Sequence, residues 1–312
     1  MAKAPFVITP ELCAVGVGYK NAKMIADDVL PRVPVSSESF KYQKFPMGEF
    51  FTVPETRVSR KGQPNQVEFS STEVSDSVED YGLDAPVPNK DIKNAAAQAK
   101  QTDPRKRAAM GLMDLIELRR EVRAASLVFN AASYNGANQA TLSGTGQWND
   151  YTNSNPQTAI MDALDTMIMR PNIATFGRAA WTKISQHPKL CKAVYGNNTD
   201  AGVISRAAFA NLLELDDVYV GEGWVNTARK GQPVNMVRVW GKNAAFLYRN
   251  MNADTEYGMT FGMTAQWGER VGGEIEDADI GIYGGVRVRM AESVKELVTA
   301  NDLGYYFQNC VA

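Results

Sequence analysis

Residues 103–132 set the length scale of the fold. Asp103 can cap the first free amides of a helix, and Pro104 fits the first helical position. Apolar residues follow at Ala108, Leu112, Leu115, Val122, Ala125 and Phe129, spaced by three, four and seven, and Gly111 alone interrupts good helix formers. A helix of that span is about 40 Å long. A rod of this length suits a scaffold or an interface spine better than a pocket wall. Arg105, Lys106 and Arg107, with Lys100 just before, crowd its first turn. Cations there oppose the helix dipole, at a few tenths of a kcal/mol or more each, so they call for partners.

The residues before this helix lack a visible core. Pro5, Pro10, Pro31 and Pro34 break up residues 1–34, leaving one short helix from about Asn21 to Leu30 with Met24, Ile25 and Val29 on one side. Such an arm must be disordered or lie on something else. Residues 35–75 are aromatic and β-branched (Phe40, Tyr42, Phe45, Phe50, Phe51, Val53, Val67, Phe69), with turns at Pro46–Gly48 and Lys61–Asn65. This pattern predicts an extended hairpin, which needs a neighbour to lie on. Six acidic residues and no basic one fall between Glu68 and Asp84. That run is a solvated face or a surface for a basic partner, and the cations of the long helix on another copy would serve. Residues 85–103 read as a connector with a short helical piece over 90–100.

Beyond Phe129 the chain is rich in Asn, Gly, Ser and Thr through Asn155, with Trp148 as its anchor. Asn155 and Pro156 open a second helix with Ile160, Leu164, Met167 and Ile168 on its apolar face. Ile173–Phe176 reads as a buried strand, then a helix carrying Trp181 and Ile184 closes at His187-Pro188, and Ser205 caps a helix to Leu213. Strands are predicted over 217–220, 234–240, 244–248, 259–267, 280–290 and 305–307. Helices and strands in blocks make this an α+β chain.

The chemistry-bearing residues are sparse. The 33 basic and 35 acidic side chains leave a net charge of −2, which argues against a dominant nucleic-acid surface. Cys13, Cys191 and Cys310 are odd in number and scattered, so no disulfide framework and a cytosolic folding environment are expected. Neither a transmembrane run nor a signal peptide is expected. His187 is the single histidine, which leaves no His-rich metal site; its place before Pro188 suits a structural or capping role. Cys191, four residues on, is a weak nucleophile candidate. Gly16-Val17-Gly18 lacks the third glycine of a dinucleotide loop. A carboxylate pair for acid–base work stays open, but no spacing singles one out. No catalytic, cofactor-binding or metal residue is therefore assigned, and no cofactor is implied. Free arm, projecting hairpin and long spine together point to a structural protein.

The block from Pro171 to Asn250 resembles the major capsid proteins of tailed bacteriophages, those of the HK97-like fold. The likeness rests on residues 171–181 (PNIATFGRAAW), Gln186-His187-Pro188, residues 212–221 (LLELDDVYVG) and residues 239–245 (VWGKNAA). Tyr257–Gly262 with Trp267, and Gly304–Phe307, extend it to about 140 residues. The resemblance implies an N-terminal arm (1–34), an extended loop over an adjacent subunit (35–78), and a peripheral domain (79–156) with its spine helix at 103–132. It further implies an axial domain (157–255), then strands (256–312) returning to the peripheral domain and ending in the axial one.

It implies hexamers and pentamers closing into an icosahedral shell around double-stranded DNA, held without sequence specificity. The protein would be made in the bacterial host's cytoplasm and end in the virion capsid. With only 34 residues before the loop and no heptads among them, a separate scaffolding protein is expected if one is used, beside portal and cement proteins. Lys41, Lys44 and Lys61 lie on or near the loop. A lysine–asparagine cross-link such as one relative makes also needs a carboxylate and an asparagine from other subunits, so a non-covalent shell is expected. An encapsulin-like compartment shell shares the fold and is the alternative, ahead of a carboxylate-based hydrolase; a membrane role is not implied.

Overall fold

A computed structural model of the chain describes residues 5–18, 24–44, 51–66, 72–98, 103–196 and 201–312. The predicted strand at 67–70, the turn at Pro46–Gly48, Phe45, Phe50 and Lys100 lie outside these residues.

Two sheets share one long helix. The first sheet is built on β14 (Gly285–Val298), 14 residues long with alternating burial. One edge of β14 pairs antiparallel with β13 (Val271–Asp277) and then β12 (Gly262–Trp267), and its other edge pairs with β5 (Glu79–Pro88). At the margins β1 (Val7–Ile8) joins β13, and β2 (Arg32–Val35) runs parallel to β12. The second sheet has the order β6 (Gln139–Thr141), β15 (Gly304–Gln308), β11 (Ala244–Leu247), β7 (Ile173–Gly177) and β8 (Asp217–Gly221). Within it β7 and β8 are parallel, with Ile173 beside Asp217 and Gly177 beside Gly221.

The long helix, Pro104–Val128, begins as its sequence requires: the Asp103 carboxylate accepts the Arg105 amide at 2.8 Å, and Pro104 sits at its first turn. Its first half lays Ala109, Leu112, Met113 and Ile116 against Val288, Met290 and Leu12 of the first sheet and the arm. Its last turns place Ala124, Ala125 and Val128 against Tyr306 of the second sheet and against Tyr134, Trp240 and Phe261 in the connections beside it. The other face of the second sheet buries Phe176, Trp181, Phe209, Phe246 and Trp148 under the helices Pro156–Asp165, Arg178–Ile184, Pro188–Tyr195 and Arg206–Leu213.

Several expectations are corrected. Leu115 is 55% exposed, because the buried stripe of the long helix runs 109, 112, 113, 116, 117, 120, 121, 124 and includes charged residues. Ile168 is 56% exposed, since the helix from Pro156 ends at Asp165. Residues 10–18, read as irregular, form a helix that lies on the first sheet. Of the short helix expected from Asn21 to Leu30, the described residues 24–30 form a single turn, Ala26–Val29. The supposed connector is strand as far as Pro88, while the helical piece expected over 90–100 is present as Asn89–Ala97. His187-Pro188 closes one helix and opens another, Pro188–Tyr195. The hairpin does have a core at its root, where Phe40 and Tyr42 of β3 (Ser39–Lys44) pack on Met263, Ala265 and Leu297 while pairing with β4 (Thr72–Ser77).

Candidate assembly surfaces and a buried ionic junction

Three stretches that project from the two sheets carry exposed apolar side chains. Residues 51–66 extend the hairpin and are exposed throughout, Phe51 by 54% and Val53 by 90%. Their one tight turn, Gly62 amide to Ser59 carbonyl at 2.9 Å, is shaped locally and leaves the apolar side chains without a covering. A smaller hairpin, β9 (Trp224–Asn226) with β10 (Met236–Arg238), exposes Trp224, Met236 and Val237. The loop after β13 exposes Ile282 by 95% and Tyr283 by 70%. Isolated apolar residues on a surface are ordinary; runs of them on protruding segments mark contact sites.

The arm, the long helix and the first sheet meet at a buried chain of alternating charges. Arg270 reaches Glu117 at 3.2 Å and Glu292 at 3.3 Å; Arg32 reaches Glu292 at 3.0 Å and Asp27 at 2.7 Å. Arg120, 2% exposed, bonds Asp27 and also the Thr264 hydroxyl at 2.9 Å and the Leu30 carbonyl at 3.3 Å. Arg123 grips Glu296 with two bonds of 2.8 and 2.9 Å and stacks its guanidinium 3.7 Å from the Tyr81 ring centre. Four arginines thus face four carboxylates drawn from the arm, the long helix and the first sheet. Burial pushes the Asp27 carboxyl up, but Arg120 and Arg32 outweigh it and hold the group below the usual Asp range.

Glu121, fully buried one residue on, holds a second polar anchor. Its carboxylate accepts the Ile25 amide at 3.0 Å, the Ala26 amide at 2.8 Å and the Trp240 indole N–H, so it ties the helical turn of the arm to the long helix and to the connection that leads into β11. Burial raises its pKa against the pull of these donors.

The residues weighed from sequence fall as follows. His187 is fully buried; its Nδ1 accepts the Lys189 amide at 3.3 Å, so it caps a helix, and Nε2 lies 3.0 Å from the Ser154 hydroxyl. Burial lowers its pKa to about 4. Cys191 donates toward the Gly202 carbonyl at 3.5 Å, and burial raises its pKa. Gly16 packs under Met290 and Arg270 within a helix, in no phosphate loop.

Arg105 pairs with Asp103 at 2.7 Å and Glu274 at 3.3 Å, and Lys106 with Glu11 at 3.0 Å, so for these two cations the partners expected on another copy are supplied within the chain. The acidic run is likewise met at home: Asp84 by Arg289, Glu79 by Lys295 and Glu73 by Lys41. The buried carboxylates that do converge are each held by arginine. Among the described residues no group of three His, Cys, Asp or Glu side chains is placed to hold a metal. Sequence reasoning missed Glu117, Arg120, Glu121, Arg270 and Glu292; for the three on the long helix, a charged residue at a core position of the helical period was the available signal.

The chain is 52% identical to the major capsid protein of Pseudomonas phage JBD67 over 312 residues, 100% of both proteins. It belongs to the phage major capsid proteins. The major capsid protein of Burkholderia phage BcepMu is 25% identical over 311 residues, 96% of this chain and 95% of that one. Among solved structures, a phage-related protein of Bordetella bronchiseptica RB50 superposes with a TM-score of 0.74 at 21% identity, covering 99% of this chain and 98% of that one. The capsid protein of cyanophage P-SCSP1u gives 0.57 at 11% identity, covering 93% and 89%. These superpositions show the HK97-like capsid fold. No family model matches the sequence. Among the described residues, no helix is long and apolar enough to cross a membrane.

Proposed function

We propose that this capsid protein assembles as hexamers and pentamers into an icosahedral shell that encloses double-stranded DNA, held without sequence specificity. The observation that carries the reading is end-to-end identity of 52% with a phage major capsid protein. The geometry supports it. Residues 1–34 act as the arm, the hairpin 35–78 with its exposed tip reaches over an adjacent subunit, and the helix at Pro104–Val128 is the spine of a peripheral domain. The five-stranded sheet with its helices forms the axial domain. Scaffolding, portal and cement proteins are its expected companions in the host cytoplasm and then the virion.

The test is electron microscopy of the purified chain, alone and co-expressed with its neighbouring genes. Closed shells with five-fold and six-fold capsomers are expected, DNA-filled when packaging proteins are present. Shells that carry a protein cargo instead favour a compartment. Replacing residues 51–66 with a short Gly-Ser link should leave the thermal melt intact and abolish closure. Normal shells from that variant count against the loop's role.

A further inference from the structure

The five-stranded sheet is electrically lopsided along its strands. Arg178 and Glu222 follow directly on the C-terminal ends of β7 and β8, and there an open cleft of about 350 Å³ is lined by Arg178, Lys183, Arg238 and Lys242, with Thr182 and Asn149. No Asp or Glu side chain lines it. Arg178 shares Glu222 with Arg206, at 3.1 and 3.2 Å. Lys183, Arg238 and Lys242 form no ion pair among the described residues, though Arg238 stacks 4.3 Å from the Trp224 ring centre. The floor is rigid: a Cβ on Gly221 would lie 2.0 Å from Trp240, and one on Gly177 2.2 Å from the Gly241 carbonyl.

The opposite end, about 17 Å away along five-residue strands, carries the other sign. Asp216 and Asp217 open β8, Glu214 sits in the left-handed cap just before, and Asp162 and Asp165 end the helix Pro156–Asp165. Arg170 partly offsets Asp165 and Glu214, and Arg249 partly offsets Asp217. Asp162 and Asp216 are exposed and form no ion pair among the described residues. Each end also shows apolar surface: Met161 and Ile168 at the acidic end, Trp224 and Met236 at the basic one.

Two complementary faces at opposite ends of one rigid body can join head to tail, and such contacts close into rings when the rotation allows. Charge complementarity then sets partner and register. We propose that the basic cleft of one copy receives the acidic end of the same sheet in the next copy, with Lys183 and Lys242 facing Asp162 and Asp216. This rests on the shell reading and names the faces that would meet around each capsomer.

Two variants test it by sedimentation velocity, after a thermal melt shows each to be folded. K183E/K242E has two acidic ends, and D162K/D216K has two basic ends. Each alone should associate at least tenfold more weakly than the wild-type chain. Mixed in equal amounts, they should associate again, because acidic and basic ends alternate. The four-fold swap in one chain should restore shells. Should either pair fail to fold, the neutral K183Q/K242Q and D162N/D216N forms replace them and should each weaken association. A variant that assembles like wild type, or a mixture as inert as its components, overturns the contact. A mixture that associates while the wild-type chain closes no shell leaves the contact standing and removes the shell reading.

Discussion

Glu121→Gln isolates the anchor of the arm, because it changes no volume and only removes an acceptor and a charge. The carboxylate takes three kinds of donor on two oxygens: the Ile25 amide, the Ala26 amide and the Trp240 indole. A glutamine keeps one carbonyl oxygen. Its least damaging orientation leaves that oxygen to Ile25 and Trp240 and turns the NH2 toward the Ala26 amide. One buried donor then goes unsatisfied, at about 2 kcal/mol, and two bonds to a charged acceptor become neutral ones, at roughly 0.5–1 kcal/mol each. Relief from burying a charge offsets part of this, as the raised Glu121 pKa indicates. The net loss is about 2 kcal/mol.

With a urea slope of about 2–3 kcal/mol per molar, that is a midpoint shift of roughly 0.7–1 M, read on unassembled subunits. Hydrogen exchange supplies the location. Protection should fall at Ile25 and Ala26 before it falls in the long helix. A midpoint within about 0.2 M of wild type would refute the argument, as would a large shift that leaves exchange at those two amides unchanged.

The remaining expectations concern acid, a cap and a close contact. Asp27 has a depressed pKa in the fold, so its contribution is present above the unfolded Asp pKa, about 3.9, and is lost as pH falls through the folded value. The stability of Asp27→Asn should therefore vary less with pH below about 4 than that of wild type, and parallel acid-denaturation curves would count against the ionic junction. His187, lowered to about 4, stays neutral in the fold while the unfolded chain protonates near its ordinary 6.5, so stability should decline from pH 6.5 toward 4. An imidazole titrating near 6.5 by NMR would contradict this burial. His187→Ala should cost about 1–2 kcal/mol as a lost helix cap. Gly221→Ala should cost about 3 kcal/mol, because its methyl would meet the fully buried Trp240 ring at 2.0 Å; an unchanged melt would show that the indole can move.

What the sequence revealed and what it hid divide along physical lines. Local hydrogen bonding is written in neighbouring residues, so Asp103, Ser205 and His187 could be read as caps or cap candidates, and the Ser205 hydroxyl does accept the Ala208 amide at 3.1 Å. A strand buried on both faces is a continuous apolar run, hence Ile173–Phe176 was plain. The strand Val271–Asp277 was not, because two of its residues are Gly272 and Gly273. Those glycines answer to a distant part of the chain: a Cβ on Gly272 would lie 2.8 Å from the Leu12 backbone, and one on Gly273 2.4 Å from the Val7 carbonyl. The arm lies across them, and nothing within ten residues says so. The long helix was misaligned for the same reason. Periodicity sends charge outward, whereas Glu117, Arg120 and Glu121 point inward to partners on β12, β13, β14 and the arm, more than ninety residues away for most of them.

That choice of buried polar glue bears on assembly. Replacing a buried ion pair with apolar residues is often neutral or stabilising, so stability alone does not account for four arginines under the arm and the sheet. Direction does. Apolar contacts between the arm and a sheet would tolerate sliding by a residue, whereas Arg120 reaches Asp27, Leu30 and Thr264 at once and Glu121 reaches Ile25, Ala26 and Trp240 at once. Arg120 fixes the register of the arm against the first sheet, and Glu121 fixes it against Trp240. The hairpin carrying residues 51–66 begins only a few residues beyond β2, the strand that the Arg32 bonds to Asp27 and Glu292 hold in place. A projecting segment can find its site on a neighbour only if its root is fixed. In this chain the fixing is done by charges that a helical wheel would have placed in solvent.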